Sequence, residues 1–140
     1  MKEHAKQSYM SVARIFAKHS YAKKLQVGSV IVKDDRIISI GYNGTPAGWS
    51  NVCEDVVDGV LITRDEVLHA EANAIAKLAR SNEAGLGSSI FVTHAPCMAC
   101  AKTIYQTGIE SVYYDNEYRN TKGIEFLKKC GIYVENLSGS

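Results

Sequence analysis

Two short motifs restrict this chain more than any other feature. His69-Ala70-Glu71 opens an Ala-rich segment, and Pro96-Cys97-Met98-Ala99-Cys100 follows a β-branched run. Imidazole nitrogen and thiolate sulfur are zinc ligands, and a site that stays open to chemistry takes three of them. His69, Cys97 and Cys100 supply three. To share a metal, the two motifs must be folded side by side, so the fold has to bring two helix starts together. Cys97 and Cys100 share one face of a helix by their spacing. Pro96 at the helix entry puts both in the first turn, where the macrodipole favours anions and lowers thiol pKa.

Glu71 is not needed to hold a metal. Beside a water at the open position, it can take a proton and return it to a departing amine. His69 and Glu71 lie roughly opposite on a regular helix, so both must sit at its start, where His69 still turns toward the metal. His-x-Glu with a later Pro-Cys-x-x-Cys is the signature of zinc nucleobase deaminases. Alone, a Cys-x-x-Cys serves a redox pair or a structural zinc equally well, and a His at a helix start is ordinarily polar or capping. The rival from another class is a structural zinc module that binds a partner. It needs a fourth ligand, for which Cys53 is the candidate thiolate, and it leaves Glu71 without a role.

The 140 residues suit one domain over 1–137, with a flexible tail at 138–140. The net charge of +1 is far from the strongly basic balance of a protein that grips a nucleic-acid backbone. A small-molecule substrate is expected instead. No stretch reaches the roughly 20 apolar residues of a membrane span. The first ten residues are polar and lack a signal-peptide core. A cytosolic setting is expected, or the host cytosol if the source is viral. There, of the four cysteines, the close pair Cys97 and Cys100 reads as metal-binding or redox-active rather than as a disulfide.

Residues 3–19 space Tyr9, Val12, Ala13, Ile15 and Phe16 as one side of a helix. The β-branched runs 27–32 and 36–41, joined by Lys33-Asp34-Asp35, read as a hairpin. Residues 42–68, with Gly44, Pro46, Gly48 and Gly59, read as a long connection of the kind that carries function. A helix over 69–80, a strand over 88–93, and a helix from Pro96 to Thr107 closed by Gly108 follow. A strand over 109–114, a helix over 121–130 capped by Gly131, and a strand over 132–134 complete the chain. This order implies an α/β fold: one mixed five-stranded sheet in a three-layer α/β/α sandwich. Strands linked through helices should run parallel, and the opening hairpin antiparallel.

Four segments carry a family resemblance over most of the length. They are Val27-Gly28-Ser29-Val30-Ile31-Val32, Gly41-Tyr42-Asn43-Gly44-Thr45-Pro46-Ala47-Gly48, His69-Ala70-Glu71-Ala72-Asn73-Ala74-Ile75, and Pro96-Cys97-Met98-Ala99-Cys100-Ala101-Lys102. In them the chain resembles the deoxycytidylate (dCMP) deaminase family, phage members included. The resemblance implies the cytidine deaminase-like fold, one catalytic zinc, and hydrolysis of dCMP to dUMP and ammonia, which supplies dUMP for thymidylate synthesis. It also implies a homohexamer, activated by dCTP with Mg2+ and inhibited by dTTP. Tyr42, Gly44 and Thr45 are then the effector-binding residues. The alternative, a tRNA adenosine deaminase, shares the zinc motif, but the near-neutral charge and the 44–48 segment speak against it. Free cytidine deaminases usually have Cys where His69 stands.

By the same resemblance Asn43 contacts the substrate sugar; as an Asn-Gly pair it otherwise reads as a turn residue. Tyr118, Lys23, Lys24 and Arg119 are the candidates for the substrate phosphate, Tyr118 first among them. For the lysines a solvated surface charge is the simpler reading. His94 and Cys53 are the pair that would hold a second, structural zinc, as in some viral relatives; a small buried cysteine is the simpler reading of Cys53. Cys130 reads as core, His4 and His19 as surface. Trp49 packs at a subunit interface or over a ligand.

Overall fold

The computed structural model describes residues 1–138. In chain order the elements are α1 (Glu3–Ala17), β1 (Gly28–Lys33), β2 (Arg36–Tyr42), β3 (Glu54–Val57), β4 (Val60–Thr63), α2 (Ala70–Ala79), β5 (Ser89–His94), α3 (Met98–Thr107), β6 (Ser111–Asn116), α4 (Lys122–Lys129) and β7 (Tyr133–Asn136). The main sheet has the order β2-β1-β5-β6-β7, with β3 and β4 forming a separate ribbon. β1 runs antiparallel to both β2 and β5, whereas β5, β6 and β7 run parallel. The expected mixed five-stranded sheet is present.

Strand alternation decides which side each helix takes, because successive side chains point to opposite faces. Ile31, Ile90 and Val112 face one side, where Ala74 and Leu78 of α2, Ala101 and Ile104 of α3, and Leu127 of α4 cover them. Val30, Val32, Phe91 and Tyr113 face the other, against Met10 and Ala13 of α1. This makes the three layers. Each fully buried aliphatic side chain here contributes about 1.5–3 kcal/mol.

The β1–β2 turn is made by Asp34 and Asp35, both at positive φ, as a two-residue hairpin requires. The connection over 42–68 differs from its reading as irregular chain. It contains the β3–β4 ribbon, turned by Asp58 at φ 51° and Gly59 at φ 76°. Asp-Gly between β-branched runs is a strong hairpin signal; the neighbouring glycines and Pro46 masked it. Helix α3 begins at Met98, two residues later than Pro96, and Cys97 is its N-cap. Of the tail expected at 138–140, Ser138 donates its hydroxyl to Asn136 Oδ1 at 2.7 Å; Gly139 and Ser140 lie outside the described residues.

Candidate active site

The first turns of α2 and α3 meet beside the carboxyl end of β5. Three devices press α2 into place. Ser29 on β1 donates to the Ala70 carbonyl at 2.9 Å, and Ser39 on β2 donates to the Ala74 carbonyl at 2.7 Å. Gly41 lets the helix touch the strand: a methyl group there would overlap the Ala70 carbonyl oxygen and stand 2.6 Å from the Ala74 nitrogen. Asn73 adds a bond from Nδ2 to the Tyr42 carbonyl, 3.0 Å.

His69 is the N-cap of α2, but its side chain makes no capping bond. It turns instead to the cysteines. Its Nδ1 lies 3.3 Å from Cys100 Sγ and 3.6 Å from Cys97 Sγ. All three ligand atoms lie within 4.8 Å of one another. A nitrogen and a sulfur bound to one tetrahedral zinc stand about 3.5 Å apart, so the donor set fits zinc in both chemistry and spacing. The three groups are close enough to shift one another's proton affinities. Hydrogen bonds from Cys100 and His69 pull the Cys97 thiol down to about 3. The Cys97 partner and burial push Cys100 up, and Cys97 also raises His69.

Among the described residues no fourth member joins this group. Cys53 is buried but outside this group, its Sγ 3.6 Å from the Asn51 carbonyl. The closed, four-ligand site of the rival reading is therefore not formed. Nor do Cys53 and His94 gather a third ligand among the described residues, so the second zinc has no support.

Glu71 lies in the first turn of α2, 4% exposed. Burial pushes its carboxyl up to about 7, near the pH at which a proton shuttle works best. A cavity of about 220 Å³ opens onto His69, Glu71 and Cys97, and also onto Lys24, Asn43, His94 and Tyr118. Lys23 and Arg119 are exposed and are not among its lining residues. His94 is half-buried, and burial lowers its pKa; its Nδ1 lies 3.1 Å from Thr93 Oγ1, which also accepts the Gly28 N–H. Asn43 is already engaged: Oδ1 accepts the Val27 N–H at 2.9 Å, and Nδ2 donates to the Leu25 carbonyl at 2.8 Å. Each of these atoms keeps one further hydrogen-bonding position.

A second cavity of about 260 Å³ brings together Tyr42, Gly44 and Thr45 with Trp49, Asn73 and Lys77. Asn43 and Cys53 line both cavities. Lys77 and Glu54 lie outside the motifs and carry no local sequence signal.

Known proteins match this arrangement. The family model for the cytidine and deoxycytidylate deaminase zinc-binding region matches residues 3–116. The crystal structure of dCMP deaminase from cyanophage S-TIM5, in complex with dCMP and dUMP, superposes with a TM-score of 0.92 at 45% identity, over 98% of this chain and 99% of that one. ComE operon protein 2 of Bacillus subtilis is 37% identical over 94% of this chain and 70% of its own length. The deoxycytidylate deaminase of Mycobacterium phage D29 is 36% identical over 78% of this chain and 92% of its own length. With the motifs, the fold and the three-ligand cluster in agreement, the chain belongs to the cytidine and deoxycytidylate deaminase family.

Proposed function

We propose that this chain hydrolyses dCMP to dUMP and ammonia. The observation that carries this reading is the single cavity onto which His69, Cys97 and the buried Glu71 open together with polar groups for a nucleotide. His69, Cys97 and Cys100 hold the metal. Zinc supplies the Lewis acidity that activates water at neutral pH. Glu71 would take one proton from the water as its oxygen bonds to C4 and pass it to N3 of cytosine; it would then carry the proton of the new C4 hydroxyl to the amine as the C4–N bond breaks, leaving the C4 carbonyl of uracil and ammonia. Its burial keeps bulk water away from the transfer and holds its proton affinity near neutrality. Asn43 meets the sugar with the hydrogen-bonding positions it has left. Tyr118 and Lys24 meet the phosphate. The dUMP formed would supply thymidylate synthesis.

Regulation belongs to the same reading. Tyr42, Gly44 and Thr45 line the second cavity, beside an aromatic Trp49 and a cationic Lys77. That is the chemistry a nucleoside triphosphate needs, with magnesium as its counterion. The shared wall of Asn43 and Cys53 couples it to the catalytic cavity, so each ligand changes the other's affinity. Exposed Val56, Val60 and Ile62 on the β3–β4 ribbon are apolar surface that a homohexamer would cover.

The test is incubation of purified protein with dCMP, CMP, deoxycytidine and a tRNA anticodon stem. Uracil product from dCMP is expected; inosine in the tRNA, or no product from any, would overturn the reading. Initial rates on dCMP with neither, either or both of dCTP–magnesium and dTTP test the regulatory part. Half-saturation should fall with dCTP and rise with dTTP. Identical curves would remove regulation and leave catalysis standing.

A further inference from the structure

The segment between α1 and β1 forms one wall of the catalytic cavity through Ala22, Lys24, Leu25 and Val27. It has no regular structure, so its backbone N–H groups need partners elsewhere. One partner is a side chain from the β3–β4 ribbon. Glu54 Oε2 accepts the Lys23 N–H at 2.8 Å and the Lys24 N–H at 3.0 Å. Glu54 is 8% exposed, whereas the rest of β3 is exposed. A carboxylate that deep is tolerated only when hydrogen-bonded, and bonds to an ionised acceptor are the strong ones. Among the described residues Glu54 makes no ion pair. Its charge is therefore directed at this backbone. The far end of the same wall is held by Asn43 through Val27 and Leu25. Between the two clamps, Lys24 is the one lysine or arginine among the described residues lining the cavity.

We propose that Glu54 is a positioning residue for substrate binding: through the backbone of Lys23 and Lys24 it fixes where the Lys24 ammonium meets the cavity, and so how tightly an anionic nucleotide is held. This rests on the nucleotide reading above. Glu54 itself touches no substrate. Removing it frees the wall and spreads the Lys24 charge over many positions, which weakens binding without altering the reacting groups. The loss should appear in KM and not in kcat. Both bonds use one oxygen, so Glu54→Gln keeps an acceptor for them and should restore most of the affinity.

The experiment is steady-state kinetics on dCMP for the zinc-loaded wild type, Glu54→Ala, Glu54→Gln, Lys24→Met and the Glu54→Ala/Lys24→Met double variant, each checked for melting and zinc content. The expected result is a KM raised about tenfold in Glu54→Ala with kcat within about twofold, and Glu54→Gln within about threefold of wild type. The double variant should be no worse than Lys24→Met, because a positioning residue has nothing left to position. A fall in kcat at constant KM, an unchanged KM, or losses that multiply in the double variant would overturn the proposal. If Glu54→Ala does not fold, Glu54→Gln alone decides: a KM raised as far as in Lys24→Met would mean that the charge, not the backbone bonds, acts. Failure of the wild type to turn over dCMP would instead overturn the substrate reading, and this inference with it.

Discussion

Gly123, in the first turn of α4, lies against the backbone that carries Cys97. A methyl group there would overlap the Pro96 carbonyl oxygen and stand 2.8 Å from the Cys97 carbonyl carbon. Both neighbours are backbone and cannot rotate aside. Gly123→Ala therefore sets two effects against each other. Alanine is the better helix former by about 1 kcal/mol, while the overlap costs about 1–3 kcal/mol. The overlap should win. The expected outcome is a lower melting temperature and faster loss of zinc to a chelator, because the displaced segment carries a ligand. A variant that melts higher and keeps its zinc would mean that α4 gives way without moving Cys97.

Glu71→Gln should leave zinc near one per chain and slow turnover of dCMP by at least ~100-fold, the scale of a lost acid–base group. Metal content by atomic absorption and single-turnover rates read the two effects separately. Loss of metal with activity would mark Glu71 as a ligand.

Cys97→Ala and Cys100→Ala should each lose zinc and activity together. Cys53→Ala should keep the metal, since Cys53 stands outside the three-ligand group. Its cost is a small cavity, about 1 kcal/mol of stability. Release of the catalytic zinc by Cys53→Ala would contradict this geometry.

Acid stability should depend on Glu135. Its carboxyl is held below the usual 4.5, first by the Tyr133 hydroxyl at 2.6 Å and then by the Lys6 ammonium at 2.9 Å. A depressed folded pKa means that the unfolded chain binds more protons. The stability this group adds is therefore present above pH 4.5 and lost as pH falls through the lower folded value. The difference in melting temperature between wild type and Glu135→Gln should be largest near neutrality and vanish in acid. A difference that grows below pH 4 would reverse the sign and refute the assignment.

Much of the candidate site is legible because its signals are local. Cys97 and Cys100 lie one helical turn apart, Pro96 marks the helix entry, and the Ala-rich run after His69 can only be a helix. The five main strands follow from β-branched runs and their turns. The β3–β4 ribbon was also encoded locally, in Asp58-Gly59, but the glycines at 44 and 48 made the whole stretch read as loop. By itself, then, the sequence determined the helices and the strands of the main sheet, the family and the donor atoms, because backbone periodicity, capping and ligand chemistry act over a few residues. Only the tertiary structure decided that His69 stands 3.3 Å from Cys100, that Tyr42 and Trp49 share a second cavity, that Lys24 reaches the catalytic one while Arg119 does not, and that Glu54 holds the backbone of Lys23 and Lys24. The physical reason is that buried backbone donors and carboxylates must find partners wherever packing brings them, and packing joins residues that no local pattern links.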